Sequence, residues 1–300
     1  MPSPWGISRA DRRFALIALP GRVIPLRESA DWRSLFLLAC LAVLLAGRWT
    51  GWLRHWLWLP PACALAFVAC VVKHNHLHRR TFRRRGFNAA FGVALSLLTG
   101  HPATAIITAH NLRHHRHNNT EVDWVRCSLV RFRWNWLNLL VFPFASVAAM
   151  RAAKASDLAA WRERHPTLYR QALLERAALY GLLAALLLVD GQATLRALVV
   201  PWLFGQWGIV TINLLQHQDC DPASPYDHSR NVTGALVNWF VLNNGFHTAH
   251  HLRPSLHWSR LPAFHREVVA PRIAPGFDHR SLLAAVWARF GPGRPAAERA

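Results

Sequence analysis

Apolar residues along this chain gather in six runs, at 34–47, 56–72, 87–98, 134–150, 173–189 and 195–215, separated by segments dense in arginine and histidine. Runs of this length without strand-like alternation predict helices, and several approach the roughly 20 residues that a bilayer crossing needs. The run at 87–98 is short and ends at Gly100 and Pro102, while 134–150 carries Asn135, Asn138 and Pro143. Both are expected to lie in the interface or re-enter, because lipid offers no partners for exposed polar groups.

The polar intervals are not ordinary loops. Three of them read KHNHLHR (73–79), HNLRHHRHN (110–118) and HTAHHL (247–252), and together they hold much of the chain's complement of 18 histidines. On an α-helix, residues four apart share a face. The spacing therefore aims His74 and His78 at a common metal, and likewise His110 and His114, with His115 turned aside by about 100°. His247 and His250 are three apart, and His251 again adds an offset ring. Each double-histidine cluster can serve two adjacent metals. His55, His76, His101, His117, His165, His228, His257, His265 and His279 lack this arrangement and are read as non-ligands.

Clusters that share one site must lie on one side of the membrane, so an even number of crossings separates each from the next. With 87–98 and 134–150 set aside, four transmembrane helices remain in two hairpins, residues 34–72 and 173–215. The expected fold is an all-α integral membrane protein with a cytoplasmic helical cap around a histidine-rich dimetal site. The outer connections, 48–54 and 190–196, hold only Arg48, Arg54 and Arg196 of 35 basic residues, as the positive-inside rule requires. Tryptophans at 49, 52, 56, 58, 134, 136 and 202 fall near predicted helix ends, where interface anchoring accounts for them.

A net charge of +20, almost all from arginine, suits an anionic lipid surface or an acidic partner. No groove-reading or base-stacking module is visible, so nucleic acid is not an expected partner. The five cysteines show no CxxC spacing, which argues against a disulfide framework or zinc ribbon. Arg9, Arg12 and Arg13 lead a six-residue apolar stretch broken at Pro20 and Gly21, which reads as an amphipathic cytoplasmic lead-in. Residues 1–33 form that segment, 34–265 the membrane domain, and 266–300 a cytoplasmic helix and tail, rich in Pro, Gly and Ala from Gly291.

The pattern His74-x3-His78, His110-x3-His114-His115 and His247-x2-His250-His251 resembles the three histidine boxes of the membrane fatty acid desaturases. The resemblance covers roughly residues 35–265. The stretch from Asn244 through His247, His250, His251 and Pro254 to Ser259 is similar to bacterial members, and the region from Leu215 to Asp227 resembles the family's segment between its last membrane helix and third box. It implies that Asn213 and His217 complete the metal shell, giving nine imidazoles and one amide, with no catalytic residue separate from the ligands. Imidazole suits several metals including zinc; the resemblance selects two irons, with O2 as co-substrate. Such neutral ligands call for nearby carboxylates, and Glu121, Asp123, Asp219, Asp221 and Asp227 are the candidates.

The resemblance further implies desaturation of a fatty acyl chain in a bacterial inner membrane. Hydroxylases and decarboxylases share the scaffold, and a metal transporter is the alternative of another class. A transporter would place polar residues along the spanning helices. No flavin, nicotinamide or cytochrome b5 module is apparent, so electrons are expected from an external, ferredoxin-like carrier.

Overall fold

The computed structural model describes residues 25–153 and 155–292; the expected lead-in at 9–22 and the tail from 293 lie outside them. Helix α1 (Asp31–Trp49) starts on an acidic residue, which complements its N-terminal dipole, and stops before Thr50 and a left-handed Gly51. Helix α2 (Leu59–His78) opens with Pro60 and Pro61, tolerated in a first turn whose amides have no helical acceptor. It is the most buried of the long helices and runs straight into the first histidine cluster. Backbone approach explains how closely its main partner packs: a Cβ at Gly205 would fall 2.7 Å from the Ala66 carbonyl.

Helix α3 (Arg85–Thr99) ends at Gly100 (φ 63°), and the chain bends by 83° into α4 (Ala103–His117). A side chain at Gly100 would strike the Trp202 ring. Side chains of α3 and of other helices satisfy the polar groups of this bend. Lys73 Nζ donates to Thr99 Oγ1 (2.9 Å), Gln206 Nε2 to Thr99 O (3.0 Å), and Ser96 Oγ accepts from Ala103 N (2.9 Å). Buried Glu175 accepts from both Thr104 N (2.7 Å) and Thr104 Oγ1 (2.8 Å) at the start of α4. Irregular backbone is tolerated at membrane depth only when it is paired in this way.

Helix α5 (Asn135–Ala153) contains Pro143, and its asparagines are not presented to lipid. Asn138 bonds Phe132 N and O, closing the turn before the helix, and Asn135 pairs with Gln218, tying this helix to the end of α8. Helix α6 (Ala155–Arg164) leads to α7 (Pro166–Thr194), a π turn (Leu195–Val199) and α8 (Val200–His217).

Three helices are long and apolar enough to cross a membrane, or four if the bent α3–α4 pair is one span. One of the three is the 52-residue stretch Pro166–His217. A straight helix of that length would reach about 78 Å, over twice the hydrocarbon thickness. It is not straight: Asp190 is non-helical (φ −151°, ψ 92°), and Thr194 Oγ1 bonds Leu186 O at 2.9 Å. Residues eight apart in a continuous helix would stand about 12 Å apart along the axis. Leu183 and Leu186 pack against Ala197, Leu198 and Trp202, so the chain doubles back at Asp190.

The remaining elements are short: a parallel two-residue pair β1 (Asn231–Val232) and β2 (Asp278–His279), α9 (Ala235–Phe240), α10 (His247–Leu252), α11 (Leu261–Phe264) and α12 (Leu282–Phe290). One apolar cluster runs from Leu41, Ala66 and Leu95 through Leu242 and Ala249 to Leu261 and Val269. It packs α10 against α1, α2 and α3.

Candidate metal centre

The C-terminal ends of α2, α4 and α8 converge on α10, and nine histidines meet there in two groups. His74, His78, His110, His115 and His250 form one; His114, His217, His247 and His251 form the other. Within each group one ring nitrogen per residue lies within 4.8 Å of all the others. Adjacent Nε2 atoms are 2.8 Å apart for His217 and His247, and 3.1 Å apart for His110 and His115 and for His115 and His250. Two nitrogens bound at right angles to one ion at ~2.0–2.1 Å would stand about 2.9 Å apart. The spacing fits neighbouring ligands of a common ion.

Local helix geometry decides which ring joins which group. His74 and His78 share a face of α2, as their spacing predicts. The second cluster departs from expectation. The segment Ile107–His114 is a π-helix, in which residues five apart align, so His110 joins His115 and not His114. In α10 the i,i+4 pair His247–His251 is the closer one, with ring centres 4.6 Å apart against 5.9 Å for His247–His250. His250 crosses to the other group. Each doubled histidine therefore splits between the groups, but not in the pairs that uniform α-helical spacing suggests.

Hydrogen bonds at the outer nitrogens orient several rings. His114 Nδ1 lies 2.9 Å from Asp123 Oδ2, both side chains buried; His217 Nδ1 lies 3.0 Å from His228 O, and His74 Nδ1 3.1 Å from Asn75 Oδ1. A carboxylate or carbonyl only accepts, so Nδ1 carries the proton of His114 and His217 and Nε2 presents its lone pair inward. His78 Nε2, His114 Nε2 and His251 Nε2 are buried without a hydrogen-bond partner among the described residues. Burial pushes His247, His250 and His251 well below the ordinary imidazole range, so they stand as neutral donors. Converging neutral imidazoles with unpaired inward nitrogens fit a pair of divalent metals.

Of the five candidate carboxylates, Asp123 is the one bonded to a cluster histidine. Burial alone would raise its carboxyl, but hydrogen bonds from His114 and from the Val125 and Asn119 amides outweigh it and hold the group below its ordinary range. Glu121 and Asp219 pair with Arg126 and Arg289, and Asp221 and Asp227 bond loop amides. Asn213 stands one turn before His217 on α8, its Nδ2 donating to Val125 O (3.0 Å), which leaves its carbonyl oxygen as the atom it can offer a metal.

His76, one face away from His74, accepts at Nδ1 from Thr81 N and bonds Thr81 Oγ1, and it is not among the nine clustered histidines. Two features were not visible from spacing. Asn231 Oδ1 caps α10 at Thr248 N (2.8 Å) while its Nδ2 holds Asp278 (2.8 Å), mooring the third cluster to β2. His228 packs beside His251, with ring centres 5.3 Å apart.

The model of the family described as fatty acid desaturase matches residues 50–280. The chain belongs to the fatty acid desaturase family. That match takes in all nine clustered histidines together with Asn213 and Asp123. No curated protein matches this desaturase-family chain.

Proposed function

We propose that this protein is a four-crossing membrane enzyme of bacterial type that introduces a double bond into a fatty acyl chain, a step of fatty acid metabolism. It would use O2 and electrons from an acidic, ferredoxin-like carrier. The observation that carries the proposal is the pair of imidazole groups, five and four strong, inside a chain of the desaturase family. His74, His78, His110, His115 and His250 would hold one iron, and His114, His217, His247 and His251, with Asn213, the other. Bound there, the iron pair supplies oxidation of an unactivated methylene pair by O2.

The protein's own part is placement. Asp123 fixes the tautomer of His114, the His228 carbonyl fixes that of His217, and burial keeps bulk water from the ligand nitrogens. Against a transport function, the buried charged groups Lys73 and Glu175 are spent on the α3–α4 bend and do not line a path across the membrane.

The four crossings would be α1, α2 and the two limbs parted at Asp190. Support comes from the reversal at that residue and the scarcity of basic residues at 48–54 and 190–196. With the histidines cytoplasmic, cysteine placed at Trp52, 73% exposed in the outer connection, should react with a membrane-impermeant thiol reagent in intact cells. Cysteine placed at Ala223, exposed in the loop after α8, should react only after permeabilisation. The opposite labelling pattern would overturn the orientation.

Expression in a simple bacterial host, followed by mass spectrometry of its lipids, tests the activity. Acyl chains lacking two hydrogens should appear with the native protein and not with His217→Ala at equal folded yield. Hydroxylated or shortened products would instead assign a sister reaction, and unchanged lipids with iron-loaded protein would sink the proposal.

A further inference from the structure

Helix α12 is apolar on both of its faces, although it lies outside the stretches long enough to cross a membrane. On its inner face Ala285 and Phe290 are buried in an apolar cluster with Phe142 of α5 and Leu214 and Leu215 of α8. Its outer face is Leu283, Ala284, Trp287 and Ala288, all exposed, Leu283 to 82% and Trp287 to 65%. No charged residue falls among these four. A helix that is hydrophobic all round is stable only where both sides meet an apolar medium, in a protein core or in lipid.

The outer face cannot turn inward. Ser281 Oγ caps the first turn by accepting from Ala284 N (3.2 Å), and at the last turn Arg289 pairs with Asp219 and donates to Gln218 O (3.4 Å). The Arg289 carbonyl accepts from Asn135 Nδ2 (2.9 Å), which locks the end of α12 to the start of α5. Rotation would break these bonds and expose the packed side. Nor can the helix cross a bilayer, since nine residues rise only about 14 Å against a hydrocarbon core of about 30 Å. It is left lying along a surface.

Its neighbours identify that surface. Leu214 and Leu215, on which α12 packs, belong to the last turn of α8, the end of a candidate membrane stretch. Helix α5, to which α12 is bonded, turns a matching stripe outward: Trp136, Leu140 and Phe144 are exposed at four-residue spacing and so share one face. Trp134 is exposed just before Asn135, with the Arg133 guanidinium 5.4 Å from its ring centre. Tryptophans beside arginines mark the level of lipid head groups, where the rings stay in the apolar boundary and the cations reach water and phosphate. An acidic electron carrier would be met by charge, and the outer face of α12 offers none.

We propose that α12 is an in-plane membrane anchor, its Leu283 and Trp287 seated in the boundary between head groups and acyl chains beside the α5 stripe. Exposed Arg131, Arg133 and Arg280 flank it and complement anionic lipid. The anchor requires only that the protein resides in a membrane. It depends neither on which side the metal centre faces nor on the reaction there.

The test uses the full-length protein in bilayer discs of phosphatidylglycerol and phosphatidylethanolamine. A benzophenone-bearing amino acid is placed singly at position 283, 287 or 223, all three exposed, so the packed core is untouched. After irradiation, mass spectrometry should find phospholipid adducts at 283 and 287 and none at 223, in the loop after α8. A second reading measures depth, in protein carrying Cys40→Ser and Cys220→Ser because the other three cysteines are buried. A nitroxide on Leu283→Cys should collide more often with O2, which concentrates in acyl chains, than with a water-soluble nickel chelate. On Ala223→Cys the order should reverse. Preferential collision with the chelate at position 283 would overturn the anchor. So would cross-links from 283 and 287 to a second copy, to another protein or to another part of this chain in place of lipid.

Discussion

Replacing His217 with alanine is expected to abolish lipid oxidation and to lower bound metal from about two ions per chain to about one. The asymmetry of the two groups makes the result specific. His217 belongs to the group of four, so its loss leaves three imidazoles and the more weakly binding Asn213 amide. His110 belongs to the group of five, and His110→Ala leaves four. Metal content should therefore fall further in His217→Ala than in His110→Ala, while turnover falls below about a hundredth in both, more than the 10–100-fold typical of residues that only orient ligands. His217 is fully buried and its Nδ1 anchors the His228 carbonyl, so both measurements must be normalised to folded protein. Equal metal loss in the two variants would contradict the five-and-four division. Native turnover in His217→Ala would remove that residue, and Asn213 with it, from the site.

The second large effect is expected at Asp123. Its carboxylate is fully buried and accepts from His114 Nδ1, the Asn119 amide and the Val125 amide at 2.9–3.0 Å. Asp123→Ala strands the buried His114 donor and two half-buried amides. Each unpaired group costs about 1–3 kcal/mol, so folded yield should drop, and the freed His114 ring should weaken metal affinity or activity about 10–100-fold. Asp123→Asn keeps one acceptor oxygen and should fall between the two, with near-native folding but a perturbed spectrum when cobalt replaces the native metal. A cobalt spectrum identical to the native one in both variants would show that Asp123 does not orient His114.

Much of this site is legible in the sequence because a ligand cluster at a helix end needs nothing beyond local spacing. His74 and His78 meet as α-helical periodicity predicts. The same rule fails between His110 and His115, since nothing in the residue types announces the π-helix that aligns positions five apart. His217 has no neighbouring histidine to mark it, and only a resemblance singled it out; its partner His247 is 30 positions away.

The helices long and apolar enough to cross a membrane follow from the apolar runs of the sequence. What held the irregular α3–α4 bend was less visible. Lys73, Glu175 and Gln206 come from three different helices, and their buried hydrogen bonds exist only after those helices pack. The same is true of Asp123 among five candidate acids, and of Asn231, whose two amide arms join α10 to β2 across the third dimension of the fold.

The central claim is that the paired histidine groups carry out O2-dependent oxidation with iron. Purified protein should be stripped of metal, reloaded separately with iron or with zinc, and given a lipid substrate, an electron donor and O2. Iron-loaded protein should form unsaturated product only when both O2 and electrons are present, and zinc-loaded protein should form none. Equal product from the zinc form, or product without O2, would contradict the account.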